Sequence, residues 1–308
     1  MKVYLSKINE SWIVDRIRKE WYKNNKSIST KNISNSDIVW IISPWLWKEI
    51  PNKYLLSKKV VCSHYHFDFS NFSSNDQKDF NELDKFVDTY HVISKKTKSQ
   101  LETLTNKKII TIPFWVNQNI WYEIDEKKKL RNKFGFKNED FIVGSFQRDT
   151  EGDDLVSPKL IKGPDVFLEI IIELYKKNNN LKVLLTGKRR GYLIKNFEKF
   201  KIPFVYHEMV NLKKLNQLYN ILDLYIVTSR IEGGPQAIVE AAITKTPIVS
   251  TDVGIASEIL HKDSVFTKFE NAKPNLETAY ENASKLIIPV GFKNYIKLFE
   301  DVYLKRNL

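Results

Sequence analysis

Short apolar runs alternate along the chain with stretches in which apolar residues recur every three or four positions. In the first third, the runs VYL (3–5), DIVWIIS (37–43), KKVVCSH (58–64), DTYHVIS (88–94) and KKIITIPF (107–114) are rich in Val, Ile and Tyr and predict strands. Residues 12–22 and 95–104, between them, have helical spacing. The strands are nearly all apolar, the pattern of burial on both faces found in parallel sheets. A second series follows the polar stretch 123–140. Its predicted strands are 141–146, 181–187, 203–207, 223–229 and 246–251. Helices are predicted over 165–177, with Val166, Phe167, Ile170, Ile171 and Leu174 on one face, and over 211–222, with Leu212, Leu215, Leu218 and Leu222 aligned. Two successive strand–helix series predict an α/β protein of two doubly wound units, 1–115 and 116–289, with the passage between them in 113–124. The tail carries Phe292, Tyr295, Ile296, Phe299, Val302 and Tyr303 at helical spacing, which predicts a last helix over about 290–308.

Composition narrows the class. The 308 residues are 42% hydrophobic, enough for sizeable cores, and Gly and Pro number 10 each, which excludes collagen-like chains. No apolar run is long enough for a transmembrane helix, and the N-terminus reads as lacking a secretory leader. Cys62 is the sole cysteine, so intramolecular disulfides and multi-cysteine zinc sites are excluded; a reducing, cytoplasmic location is the default expectation. The 49 basic and 37 acidic residues give a net charge of +12, which suits anionic partners or simply solvates the surface. Trp and Lys mix in 17–26 and 43–59. That mixture suits a peripheral membrane contact, stacking on sugars or single-stranded nucleic acid, or half-buried packing.

In doubly wound sheets, ligands sit outside the carboxyl ends of the strands. The segment TSRIEGGPQAIVEAA (228–242) follows a predicted strand and opens a helix. Pro235 suits a first helical position, where its missing N–H costs nothing. Gly233 and Gly234 leave the backbone open to a close ligand. The free amides beside the positive end of the helix dipole then make an anion site. Glu232 and Glu240 would repel a phosphate but can accept hydrogen bonds from hydroxyls. A diphosphate at the helix end with a hydroxylated ring on each side is a coherent ligand. A surface Glu232 and a dipole-favoured Glu240 are the plain alternative.

EGGPQAIVEAA, followed by TPIVSTDVGIASEIL (246–260) with Gly254 and Glu258, resembles the donor-site signature of retaining glycosyltransferases of family 4, which have the GT-B fold. The resemblance covers about residues 107–260. It implies two Rossmann-like domains facing across a cleft. Residues 1–115 would bind the acceptor, 116–289 the nucleotide-sugar donor, and the final helix would pack back on the first domain. Glu240 would bind the donor ribose, Glu232 the transferred sugar, and the amides around Gly233, Gly234 and Pro235 the diphosphate or the sugar. Arg148 and Lys162, with Gly163 after it, match in type and order the family's clamp on the diphosphate, and Gly144 belongs to the same donor-binding segment. Fixed cations stabilise a leaving diphosphate with little reorganisation, so no metal cofactor is expected. The stretch from Arg148 to Lys162 is longer than the family's and carries Asp149, Glu151, Asp153 and Asp154. It is expected to shape the acceptor side or fold over the donor. Lys159 rivals Lys162 for the phosphate. Asp153 and Asp154 lack the Asp-x-Asp spacing of a metal-dependent transferase.

VVCSHYHFDF (60–69) sets His64, His66 and Asp68 two apart, which places them on one face of an extended chain. A metal reading needs a further His where Phe69 stands, with only His91, His207 and His261 elsewhere. The family resemblance instead implies a His near the reacting sugar, filled by His64 or His66. The family's N-terminal Gly-rich loop is absent; Asn9, Ser11, Asp15 and Arg16 are candidates to line the cleft or simply to cap and solvate a helix. The expected activity is transfer of a sugar, with retention, from a UDP- or GDP-type donor to a glycan, lipid-linked or small-molecule acceptor, without nucleic acid. A non-catalytic nucleotide-sugar-binding protein and an epimerase or phosphorylase on the same fold are the alternatives.

Overall fold

The computed structural model describes residues 1–7 and 13–304. The chain forms two compact units, residues 1–115 with 288–308 and residues 116–287. Asn9 and Ser11 lie outside the described residues.

The first unit is built from β1 (Val3–Leu5), α1 (Ile13–Asn24), β2 (Ile38–Ile41), α2 (Asn52–Ser57), β3 (Lys59–His64), α3 (Ser74–Asp84), β4 (Thr89–Val92), α4 (Lys95–Leu101) and β5 (Lys108–Thr111). All five strands are parallel, in the order β1-β2-β3-β4-β5. An isolated parallel bridge, Val3 to Ser29, occupies the other side of β1. The chain therefore leaves β1 through α1 to Ser29 on one side and returns to β2 on the other. That reversal is the switch point of a doubly wound sheet, compressed into one residue. Every residue of β2 is buried. Ile38 and Trp40 face α1 (Val14, Ile17, Trp21), whereas Val39 and Ile41 face α2, α3 and α4 (Leu55, Phe80, Leu101).

The second unit contains α5 (Lys127–Lys133), β6 (Phe141–Ser145), α6 (Pro164–Lys177), β7 (Leu181–Thr186), α7 (Gly191–Phe200), β8 (Phe204–His207), α8 (Leu212–Ile221), β9 (Leu224–Val227), α9 (Gln236–Ile243), β10 (Ile248–Thr251), α10 (Ala256–Ile259), β11 (Val265–Phe266) and α11 (Leu276–Ser284). Its parallel strands run β11-β10-β9-β6-β7-β8. The order reverses between β6 and β9, so the loops after those two strands open into one crevice. One face is covered by α5, α8, α9 and α11, the other by α6 and α7. On α6, Phe167, Ile170 and Ile171 are buried as the periodicity predicts; Leu168 joins them from outside that stripe.

The last helix, α12 (Lys293–Leu304), lies in the core of the first unit, where Tyr295, Leu298, Phe299 and Val302 are buried. Trp21 sits among Trp40, Trp115 and Phe299, with ring centroids 5.6, 5.9 and 5.4 Å away. Trp21 is therefore core, and its Lys neighbours do not make it a stacking or membrane side chain; Trp45 is the exposed one. Among the described residues, no helix is long and apolar enough to cross a membrane.

Candidate active site

The loops after β6 and β9 are stitched together by backbone contacts that leave little freedom. Arg230 and Ile231 both donate their amides to the Ile161 carbonyl, at 2.9 and 3.1 Å. Thr228 Oγ1 donates to the Gly163 carbonyl at 2.8 Å. Gln147 bridges them, donating to the Lys162 carbonyl at 2.9 Å and accepting from Ser229 Oγ at 3.2 Å. Gly163 is required twice over: its φ is +63°, and a Cβ there would lie 1.8 Å from the Thr228 carbonyl oxygen. The turn after β10 closes the other side. Gly254, also left-handed, passes so close that a Cβ would lie 2.3 Å from the Gly233 oxygen, and Thr251 Oγ1 donates to the Ser229 carbonyl at 2.6 Å.

This frame puts Lys162 and Glu232 in direct contact, Nζ donating to Oε1, with only 20% and 17% of the side chains exposed. Arg148 stands exposed in the loop after β6, its Nε donating to the Thr150 carbonyl at 2.6 Å. Lys159 lies within electrostatic range of Arg148, Lys162 and Glu232, and partial burial, then Arg148, push its pKa down. Glu240, on the second turn of α9, is buried and accepts from Tyr219 Oη at 3.1 Å. The Tyr219 ring packs 4.9 Å from Phe146, which immediately precedes the Gln147–Arg148 pair. Lys162 and Glu232 are thus brought together, with Lys159 in electrostatic range of both and of Arg148, while Glu240 contacts Tyr219, whose ring packs on Phe146.

Several expectations need correction. Gly144 is not positioned for a ligand: it is buried within β6, and a Cβ there would lie 2.4 Å from Leu222 Cδ1, so its missing side chain makes room for packing. Pro235 precedes the helix at its N-cap rather than standing first within it. The stretch after Arg148 packs within its own domain, toward α7, where the Leu155 carbonyl sits so close to Gly191 that a Cβ would lie 2.0 Å away. His64, His66 and Asp68 do not share a face, because β3 ends at His64. His64 is buried among Phe67, Phe80 and Tyr90, and burial drops its pKa to about 3; it is a core side chain. His66 is exposed in the loop beyond the strand. Asp68 holds Ser70 and Asn71, at 2.5 and 2.7 Å. Among the described residues no three His, Cys, Asp or Glu side chains gather where a metal ion could sit.

Sequence reasoning missed Gln147, Tyr219, Thr228 and Ser229, which carry no motif of their own. It also missed Asp165, which holds Arg230 through two bonds of 2.8 and 2.7 Å. The signal available for Gln147, Thr228, Ser229 and Asp165 was their position just after a strand or at a helix start; Tyr219 lies within α8 and offered none.

Residues 155–293 match the family model of glycosyl transferases group 1. The matched residues include Lys159, Lys162, Glu232 and Glu240; Arg148 precedes them. Over 261 residues the chain is 26% identical to a probable sucrose-phosphate synthase of Thermosipho melanesiensis, covering 77% of this chain and 54% of that protein. It is 25% identical over 166 residues to an alpha-galactosylglucosyldiacylglycerol synthase of Streptococcus pneumoniae, covering 51% and 41%. The chain spans about half the length of these curated relatives. Among solved structures, Anabaena HepE in complex with UDP and glucose superposes with a TM-score of 0.75 at 13% identity, over 97% of this chain and 99% of HepE. Sucrose-phosphate synthase of Thermosynechococcus elongatus gives 0.69 at 11% identity, over 97% and 81%. The fold is that of the GT-B glycosyltransferases, two parallel-sheet Rossmann-like domains.

Proposed function

We propose that this chain is a glycosyltransferase of the family 4 type that moves a sugar from a nucleoside-diphosphate donor to an acceptor with retention at the anomeric carbon. The observation that carries the reading is the contact of Lys162 with Glu232 at the switch point of the second sheet, with Lys159 in electrostatic range of both and of Arg148. In that arrangement the donor diphosphate displaces Glu232 from Lys162 and lies between Lys162 and Arg148. Glu232 turns to the hydroxyls of the transferred sugar, Glu240 to the ribose, and the amides at Gly233, Gly234 and Pro235 to the remaining oxygens. The bond between the anomeric carbon and the diphosphate oxygen breaks. The acceptor oxygen attacks from the same face, and its proton passes to the departing phosphate. Charge grows on the leaving group as the bond lengthens, and the two cations stabilise it more in the transition state than in the bound donor. They do so without a metal.

A UDP-type donor is favoured by the likeness to HepE, whose structure holds UDP and glucose. The names of the two relatives point to a sugar phosphate and a glycolipid as products. An anionic acceptor, or peripheral contact with an anionic membrane face, is supported by a hollow of about 520 Å³ in the first domain lined by Arg18, Lys19, Lys23, Lys26 and Lys31. The test is a thermal-shift screen with UDP, GDP and their sugars, followed by nucleoside diphosphate release with EDTA present. Release without metal, accelerated by a phosphorylated or lipid acceptor, is the expected result. Tight binding of a nucleotide sugar with no release under any acceptor identifies a binding protein instead.

A further inference from the structure

The stretch that lengthens the loop between Arg148 and Lys162 is a built structure. Thr150 and Pro158 form an antiparallel bridge, and the Glu151 amide donates to the Ser157 carbonyl at 3.0 Å. Its base is fixed from below. Asp149 and Thr150 donate their amides to the Arg189 carbonyl, both at 3.1 Å, and the Lys159 amide donates to the Asp149 carbonyl at 2.8 Å. Beneath them Asp149 and Arg190 form an ion pair, Oδ2 to Nε at 3.1 Å, with side chains 2% and 0% exposed. The Asp149 carboxylate also lies against the Tyr192 and Leu193 amides at the start of α7, and Arg190 reaches Ser145 Oγ at 3.3 Å. A charge pair this deep costs desolvation and holds geometry only when both members are present. Here it holds the backbone that ends in Lys159. The Lys159 carbonyl in turn accepts from the Lys162 amide at 2.8 Å, so the two lysines are set by one short turn.

Among the described residues Lys159 has no strong partner of its own. Glu151 Oε2 stands 3.9 Å from its Nζ and is half exposed, whereas the Lys159 side chain is 22% exposed. Three cations share this spot with two acids, Glu232 on Lys162 and the half-exposed Glu151 near Lys159, so an arriving anion would be attracted by the excess positive charge.

Resting on the donor-site reading above, we propose that Lys159 is a third diphosphate-binding cation beside Arg148 and Lys162, delivered by the lengthened loop and positioned by the buried Asp149–Arg190 pair. The bound anion is a nucleoside diphosphate, whose leaving form carries enough charge to engage all three. Glu151 competes with it for Lys159.

The experiment is calorimetric titration of the full chain with UDP, UMP and uridine, and with the guanosine series. Wild type is expected to bind one diphosphate more tightly than its monophosphate, and that more tightly than its nucleoside. Lys159→Met, at a half-buried surface position, is expected to fold with an unchanged melting temperature. It should weaken the diphosphate by about 10- to 100-fold, the worth of one charge-assisted contact, and leave the nucleoside unchanged. Lys159→Arg should recover most of that loss. Glu151→Gln should tighten the diphosphate severalfold, a gain that damage to the fold does not produce. The inference is overturned if Lys159→Met binds the diphosphate like wild type, or loses nucleoside and diphosphate alike. A wild type that shows no preference for diphosphate over nucleoside overturns the donor-site reading itself, and this inference with it.

Discussion

At the scale of single residues, the informative contact is Lys162 on Glu232. Lys162 and Glu232 are each other's partners, so the lysine's attraction for a bound donor is partly offset by the bond it gives up. Its net contribution is then concentrated where the leaving group is most anionic. Lys162→Ala is expected to lower kcat for nucleoside diphosphate release by about 10²–10³-fold, the range for losing one such donor, while the dissociation constant of the donor rises only severalfold. Single-turnover rates set beside equilibrium titration check the split; equal losses in both would assign Lys162 to uniform binding. Gly163 makes a stability counterpart. Any side chain there meets the Thr228 carbonyl in a left-handed backbone. Gly163→Ala is expected to destabilise the second domain by about 3 kcal/mol or more and to part the loops after β6 and β9. A fall in the urea midpoint together with lost nucleotide binding checks it. The identities of Lys162, Glu232 and Glu240 were legible as a motif. Their contacts were not, because Glu232 lies 70 positions from Lys162 and only the folded frame of Gln147, Thr228 and Ser229 sets the distance.

At the scale of elements, the inner strands of both sheets were legible because parallel strands buried on both faces are short, continuous and rich in branched residues, and the half-buried edge strands β5 and β8 keep enough of that pattern to be seen. β11, two residues long, offered no such run. Periodicity placed α6 and α8 but could not say which histidine ends up inside. His64 closes β3 pointing into rings, and His91 in β4 is held by Ser63 Oγ and the Ile112 carbonyl, each at 2.8 Å. The carbonyl requires a proton on Nε2, and the neutral Nδ1 accepts from Ser63. Burial lowers the pKa of His64 to about 3 and of His91 to about 4, from an ordinary 6.5. Both are neutral when folded at pH 7. The unfolded chain binds protons that the folded one refuses, so their contribution is intact above pH 6.5 and is lost as pH falls from there through 4 and then 3. At pH 5 each is expected to have cost on the order of 2 kcal/mol. Urea midpoints of the first domain, followed by Trp fluorescence at pH 7.5 and 5, check the direction. His64→Phe should remove about half of the dependence, leaving the share of His91; a wild-type midpoint that rises on acidification would contradict it.

At the scale of the molecule, the chain builds its cores in two separate sets. Residues 116–287 fill one sheet's two faces, and the first domain completes its own core with α12, which follows the second domain in the chain. Phe299 is the test of that division. It is fully buried, 5.4 Å from Trp21 and 5.2 Å from Trp40 by ring centroids, and Tyr295 one turn earlier bonds the Ile112 carbonyl at 3.1 Å. Truncating a buried aromatic of this kind costs about 3–5 kcal/mol, through lost transfer energy and the cavity left behind. Phe299→Ala should therefore lower the melting transition of the first domain. The residues proposed to hold the diphosphate draw on none of that core: Arg148, Lys159, Lys162 and Glu232 are set by β6, β9, α6 and α7. Nucleoside diphosphate affinity is expected to stay within about twofold of wild type below that transition, since residues of separate cores with no shared partners act independently. Sugar transfer, which on the proposed reading needs an acceptor held by the first domain, should fall as that domain melts. Calorimetry with and without nucleotide separates the two. A ligand that raises both transitions equally in the variant would mean that the cores are one cooperative unit after all.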